Sequence, residues 1–182
     1  MLLGQDLLVL FAASNDGVEH GDASIGSPGN GKNCLTVGAA ESIALPIDTV
    51  ASFSSRGPTS DGRLKPDVVG PGDAITSAAA SGAPGLATCA TTVMSGTSMA
   101  TPAVAGAAAL VRQFLVEGQH QVYSRAGHAA SSYSEASPSA ALLKALLISS
   151  TAPLTCARAR ARTAAIATMR RGDARSWMLF TL

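Results

Sequence analysis

A chain of 182 residues is long enough for one domain with its own core. At 47% hydrophobic but only 4% aromatic residues, that core must be built from small side chains. The formal net charge of +1 excludes a globally basic binder of nucleic acid or anionic membrane, and three cysteines (Cys34, Cys89, Cys156) are too few and scattered for a disulfide framework or a zinc site, leaving one Cys34–Cys89 bridge open.

The first residues carry an apolar run, Leu7-Leu-Val-Leu-Phe11, followed by the small residues Ala12, Ala13 and Ser14, as secretory signals do. No positive n-region precedes it, and Gln5-Asp6 interrupts it, so a buried strand from Leu7 to Ala13 is the better reading. The polar loop Ser14-Asn-Asp-Gly17 ends that strand. Turn residues fill Gly21 to Lys32, and Cys34-Leu-Thr-Val37, closed by Gly38, predicts a second buried strand. Val50 to Phe53 is short and β-prone, Lys65-Pro-Asp-Val-Val69 reads as a strand opened by a proline, and Ala74 to Ala80 reads as extended.

Gly96 to Val116 is the strongest helix pattern. Thr97 or Ser98 can cap it, Pro102 falls near its first turn, and Ala103 to Leu115 is apolar on nearly every side, the pattern of a buried helix. No uninterrupted apolar stretch approaches the ~20 residues of a membrane span. Gln119 to Ser137 is polar without periodicity and reads as a surface insertion. Ala140 to Ser149 predicts a second helix with Leu142, Leu143, Leu146 and Leu147 on one face.

From Thr155 the chain carries six arginines against Asp173, a net +5, so the rest holds −4 of the +1 total. Its Arg-Ala alternation fits neither an amphipathic helix nor a half-buried strand. The chain therefore divides into a domain over residues 1–154 and an unassigned Arg/Ala-rich tail over 155–182. Apolar strands alternating with turns and a buried helix predict an α/β fold with a mostly parallel sheet.

Chemistry is concentrated at Gly96-Thr-Ser-Met-Ala-Thr-Pro102. A serine hydroxyl needs a positioned base and donors for the oxyanion that forms on attack. Ser98, in the first turn of a helix, has free backbone N–H groups and the positive end of the dipole beside it. Gly96 permits close approach of a substrate backbone, and Ala100 leaves room beside the nucleophile. Taken alone, Ser98 reads better as an N-cap and Asn15 as an Asx turn.

The whole run, Ser95-Gly-Thr-Ser-Met-Ala-Thr-Pro102 into Ala103-Val-Ala-Gly106, resembles the nucleophile motif of the subtilisin-like (S8) serine proteases. Further blocks resemble the family in the family's order: Phe11-Ala-Ala-Ser-Asn15-Asp-Gly17, Ser27-Pro-Gly29, Asn33 to Ala39, Ala51 to Pro58, Lys65 to Gly72 and Ser137 to Ala152. The resemblance implies the C-terminal half of a subtilisin-like three-layer catalytic domain, lacking its N-terminal part. It implies Ser98 as nucleophile and Asn15 as oxyanion-hole donor with the Ser98 N–H. Ala12, Ala13, Ser14 and Gly26 would line the pocket for the side chain before the scissile bond, with Gly96 and Thr97 beside it. Polypeptide would be the substrate. No cofactor is certain, although calcium accompanies the family, and no metal ligands can be named in this chain. Secretion is the family's habit.

Two departures stand out. Ser14 replaces the family's glycine and would be strained if that position needs a positive φ; Gly70 replaces an alanine, a change expected to be harmless. The family's Asp-Thr/Ser-Gly and His-Gly-Thr-His blocks do not occur here. His20-Gly21-Asp22 lacks the following Thr-His, Asp48-Thr49 precedes a valine, and His120 and His128 sit in the polar insertion. Asp67 reads as a structural carboxylate. A non-catalytic relic that binds peptides is therefore the alternative to an endopeptidase.

Overall fold

The computed structural model describes residues 6–41, 49–80, 89–116, 138–152 and 154. The predicted insertion with its two histidines, Asp48 and the whole Arg/Ala-rich tail lie outside these residues.

Three short strands form a parallel sheet in the order β1-β2-β3: β1 (Leu10–Ala12), β2 (Leu35–Ala40) and β3 (Val68–Pro71). Leu10 pairs with Leu35 and Ala12 with Val37, while Val37 in turn pairs with Val68 and Ala40 with Pro71. All six residues of β2 are buried, as expected of a central parallel strand covered on both faces. Leu35, Val37 and Ala39 join Ala51, Val68, Ala100, Ala108 and Leu147 in the core. The alternate residues meet irregular chain instead: the Thr36 hydroxyl donates to the Gly29 carbonyl, and a Cβ on Gly38 would lie 2.9 Å from Pro66 Cγ.

The Leu7–Ala13 run thus yields a strand only over its last part, and the second predicted strand continues past Gly38 to Ala40 because Val68 to Pro71 supplies partners for it. The β-prone Val50–Phe53 segment forms no strand; it makes a single antiparallel bridge, Val50 to Ala40, before turning. The extended Ala74–Ala80 reading contains β4 (Ile75–Ala78), which pairs antiparallel with β5 (Thr91–Met94), a strand the sequence reading passed over. Cys34 is buried and Cys89 exposed, both with free thiols, so the bridge left open between them is not formed.

After a four-residue turn of helix, α1 (Gly17–His20), the long helix is α2 (Thr97–Val116) and the last is α3 (Ala140–Ser149). Helix α2 lies across all three parallel strands and touches α3. Contrary to the all-round burial expected, only Thr97, Ala100 and Ala108 are buried along it, and Leu110 is 51% exposed. The described sheet covers one stripe (Ala100, Val104, Ala107, Ala108, Val111), the i, i+4, i+7, i+8, i+11 face of a helix. At 20 residues and mean hydropathy 1.4, α2 is also long and apolar enough to cross a bilayer. It is not an uninterrupted apolar run, since Thr97, Ser98, Thr101 and Arg112 break it.

Ser139 caps α3 by accepting from Leu142 N at 3.1 Å, and Asp6 Oδ1 accepts from Ala140 N at 2.8 Å. These two acceptors satisfy donors that a helix start leaves free. Leu143 and Leu147, one turn apart, are buried; Leu142, placed on the same face by the sequence reading, is 45% exposed.

Below α3 a polar cluster ties the layers together. Lys65 Nζ, buried, donates to Asp67 Oδ2 (2.6 Å), Thr36 Oγ1 (2.8 Å) and the Cys34 carbonyl (3.2 Å). Asp67 Oδ2 also accepts from Thr36 N at 2.7 Å, and Lys144 of α3 approaches Oδ1 at 3.4 Å while donating to the Cys34 carbonyl at 2.8 Å. Asp67 is the structural carboxylate its position suggested.

Candidate active site

The turn from β5 into α2 is held from two sides. Gly96 N donates to the Gly72 carbonyl at 2.8 Å, beyond the end of β3, and the Gly96 carbonyl accepts from Met99 N and Ala100 N to start the helix. Ser95 Oγ donates to Asp73 Oδ1 at 2.7 Å and accepts from Ala74 N at 2.9 Å, a clamp on the turn that the sequence reading did not anticipate.

Asn15 follows β1 on a loop fixed by buried serines. Ser55 N donates to the Ser14 carbonyl and Asp16 N to Ser55 Oγ, both at 3.0 Å, and Gly17 N reaches the Phe53 carbonyl at 2.9 Å. A Cβ on Gly17 would come within 2.8 Å of the Ser52 carbonyl oxygen, so only glycine lets the two loops meet there. Ser54 Oγ meanwhile accepts from Ala39 N of β2 at 3.0 Å. No motif marked Ser54 and Ser55; their partners lie 15 and 39 positions away.

These constraints bring Asn15 to the start of α2. Its Oδ1 accepts from Thr97 N at 2.9 Å and from the Thr97 hydroxyl at 3.0 Å. Thr97, 1% exposed, is thus the residue that turns the Asn15 amide so that Nδ2 faces Gly96. Nδ2 and Ser98 N lie 3.3 and 3.7 Å from the point a Gly96 Cβ would occupy. Two N–H donors therefore border one small space, open only because residue 96, at φ 157°, has no side chain. Among the described residues Ser98 N has no hydrogen-bond partner, and neither does the exposed Ser98 hydroxyl.

The other expected site residues sit on the wall leading to this point. Ala12 is half-buried at the end of β1. Ala13 is fully buried, with its N–H given to the Val37 carbonyl and its carbonyl taken by Gly26 N at 3.1 Å, so it joins the strand to the Gly26 turn. Ser14 does adopt a positive φ, 91°. Ala100 does not stand clear beside the nucleophile: it is buried in the core, 3.1 Å from where a Gly72 Cβ would be. Gly70 is not a neutral replacement either, since a Cβ there would press on Val104 Cγ2 at 2.9 Å.

His20, the one histidine among the described residues, is exposed at the end of α1, and no hydrogen bond links it to Ser98. Among the described residues no three His, Cys, Asp or Glu side chains gather as a metal site.

Comparison with known proteins bears on the family and the fold. The Subtilase family (Peptidase_S8) matches residues 3–175. A serine protease/ABC transporter B family protein, tagD, of Dictyostelium discoideum is 44% identical over 110 residues, covering 56% of this chain and 6% of that protein. The serine protease AprX of Bacillus subtilis is 41% identical over 123 residues, 59% of this chain and 26% of AprX. Among solved structures, a cold adapted subtilisin-like serine proteinase aligns at 27% identity and TM-score 0.52 over 82% of this chain and 40% of its own. The self-cleaved protease domain of PatA aligns at 26% identity and TM-score 0.53, again over 82% of this chain, and 44% of its own. The chain thus spans less than half the length of each of these relatives. With the parallel sheet, the serine at the start of α2 and the family match over most of its length, this chain belongs to the subtilase family of serine endopeptidases.

Proposed function

We propose that this chain carries the nucleophile and the oxyanion site of a serine endopeptidase, with Ser98 attacking the peptide carbonyl. The supporting observation is the convergence of Asn15 Nδ2 and Ser98 N on the space above Gly96. As Ser98 Oγ forms its bond to the carbonyl carbon, the carbonyl oxygen takes up the negative charge. Fixed donors on that oxygen stabilise it without reorganising. Loss of the amine leaves an acyl-enzyme on Ser98, which water hydrolyses. Thr97 acts through Asn15, by holding its amide oxygen. The hydroxyl proton needs a base, and His20 is not placed to take it.

That last point favours a second reading, a peptide-binding module without turnover. One experiment separates the two: the protein at its native length is treated with a fluorophosphonate, the adduct is mapped by mass spectrometry, and peptide hydrolysis is assayed alongside. An endopeptidase is labelled on Ser98 and loses hydrolysis in Ser98→Ala. Peptide binding with neither label nor hydrolysis supports the binding module. Hydrolysis that survives Ser98→Ala refutes the nucleophile assignment.

A further inference from the structure

Between the β4–β5 ladder and the start of α2 the pairing slips by one residue. Ile75 pairs with Met94, and the next backbone bond toward the helix joins Gly96 N to the Gly72 carbonyl at 2.8 Å. Two residues on one side, Asp73 and Ala74, therefore stand opposite one on the other, Ser95, which is the count of a β-bulge. Ala74 has a φ of 53°, the left-handed conformation that glycine supplies in one class of bulge, although it carries a Cβ. A bulge interrupts the ladder and leaves its backbone groups to be satisfied by other means. Here a single side chain bridges the slip. Ser95 Oγ accepts from Ala74 N at 2.9 Å and donates to Asp73 Oδ1 at 2.7 Å.

The next residue is Gly96, buried, above which Asn15 Nδ2 and Ser98 N border one space. The Gly96–Gly72 bond sets the separation of the two chains there but leaves the turn free to tilt about that bond. A second bond one residue earlier, from Ser95 to Asp73, removes the tilt. Donors stabilise an oxyanion when they stand about 2.7–3.1 Å from it, so a tilt of a few tenths of an ångström is felt in the rate. We propose, on the oxyanion site read above, that Asp73 is a positioning residue. It acts through the Ser95 hydroxyl, holding the bulge and with it the place of the two donors relative to Ser98 Oγ.

The test measures kcat and KM for peptide hydrolysis by the native-length protein and by Asp73→Ala, Asp73→Asn, Ser95→Ala and Asp73→Ala/Ser95→Ala. Asp73→Ala is expected to lower kcat about five- to tenfold with KM unchanged, the pattern of an interaction that matters only in the transition state. Asp73→Asn keeps an oxygen acceptor for Ser95 and is expected to return kcat to within about threefold of the parent. Ser95→Ala should match Asp73→Ala, and the double variant should be no slower than either, because both remove the same bond. Unchanged kcat in Asp73→Ala, no recovery in Asp73→Asn, or losses that add in the double variant overturns the inference while leaving the oxyanion site standing. Should Asp73→Ala not fold, Ser95→Ala decides alone, and a parental kcat there overturns the inference. A parent protein that neither hydrolyses peptides nor takes a fluorophosphonate on Ser98 overturns the proposed function, and the inference with it.

Discussion

The Lys65–Asp67 pair offers a quantitative test of how the sheet is held. Lys65 has 3% of its side chain exposed and Asp67 14%, and they meet at 2.6 Å. Asp67→Ala leaves the Lys65 ammonium with Thr36 Oγ1 and the Cys34 carbonyl, removes the acceptor for Thr36 N, and takes the counter-charge from Lys144. Removing one member of a buried ion pair costs about 3–5 kcal/mol, because the partner's charge is left uncompensated. With a urea m-value of about 2 kcal/mol/M, a loss of 4 kcal/mol lowers the unfolding midpoint by about 2 M. Lys65→Met costs less, since Asp67 keeps Thr36 N and Lys144 and is nearer to water. The double variant Lys65→Met/Asp67→Ala should cost less than the two single losses summed, by about 2 kcal/mol, because no buried ammonium remains to be stranded. Urea melts of the four proteins followed by far-ultraviolet circular dichroism measure the cycle. Strict additivity would refute the reasoning, since it would mean that the pair does not interact in the folded chain.

Three further expectations use other parts of the molecule. Asn15→Ala in the native-length protein should reduce turnover about 100- to 1000-fold with little change in KM, a magnitude taken from the oxyanion-hole asparagine of subtilisin; a raised KM with turnover unchanged would assign Asn15 to substrate binding instead. Gly70→Ala should destabilise by about 1–3 kcal/mol by pushing Val104 off the sheet, and Gly70→Ala/Val104→Ala should recover part of that, as read by thermal melts. The Arg63 guanidinium, followed by the Thr59 hydroxyl, lowers the Asp61 carboxyl from 3.8 to about 2. Folding stability from this pair is therefore present above pH 3.8 and lost as pH falls through about 2, and it is small because both groups meet solvent. Carbon-13 titration of Asp61 should show that low midpoint, and Arg63→Ala should raise it.

The parts of the site that were legible in the sequence are those whose residue types are set by local chemistry. A glycine, a small hydroxyl residue and a serine opening an apolar helix mark the turn proposed for the nucleophile, and an asparagine after an apolar run marks the loop beside it; each alone fits a cap or an Asx turn, and the resemblance to the subtilisin-like family is what gives them the proposed roles. The supporting contacts follow no such local rule. Lys144 reaches the Cys34 carbonyl across 110 positions, and Thr97 meets Asn15 across 82. Neither separation leaves a periodic trace. β5 escaped notice because Thr91 to Met94 is exposed along its whole length, so no alternation of polar and apolar residues marks it. The burial of α2 was overestimated for a related reason. An apolar residue shows that a position tolerates burial, whereas the neighbours present decide whether burial occurs.

The same packing explains why a chain so poor in aromatic residues can build this site. The end of β3, the end of β2 and the start of α2 meet around Gly72. A Cβ there would lie 2.7 Å from Ala39 Cβ, 2.9 Å from the Gly96 carbonyl oxygen and 3.1 Å from Ala100 Cβ. With a hydrogen atom at residue 72 and only methyl groups at 39 and 100, Gly96 N can bond the Gly72 carbonyl and the first turn of α2 can rest directly on the sheet. Larger residues at 39, 72 or 100 would lift that turn by the thickness of a side chain, more than a hydrogen bond tolerates. Thr97 would then lose Asn15, and the two donors would no longer share one space above Gly96. Glycine and alanine are frequent here because the geometry of the serine depends on backbones lying close together, and small side chains are what allow them to do so.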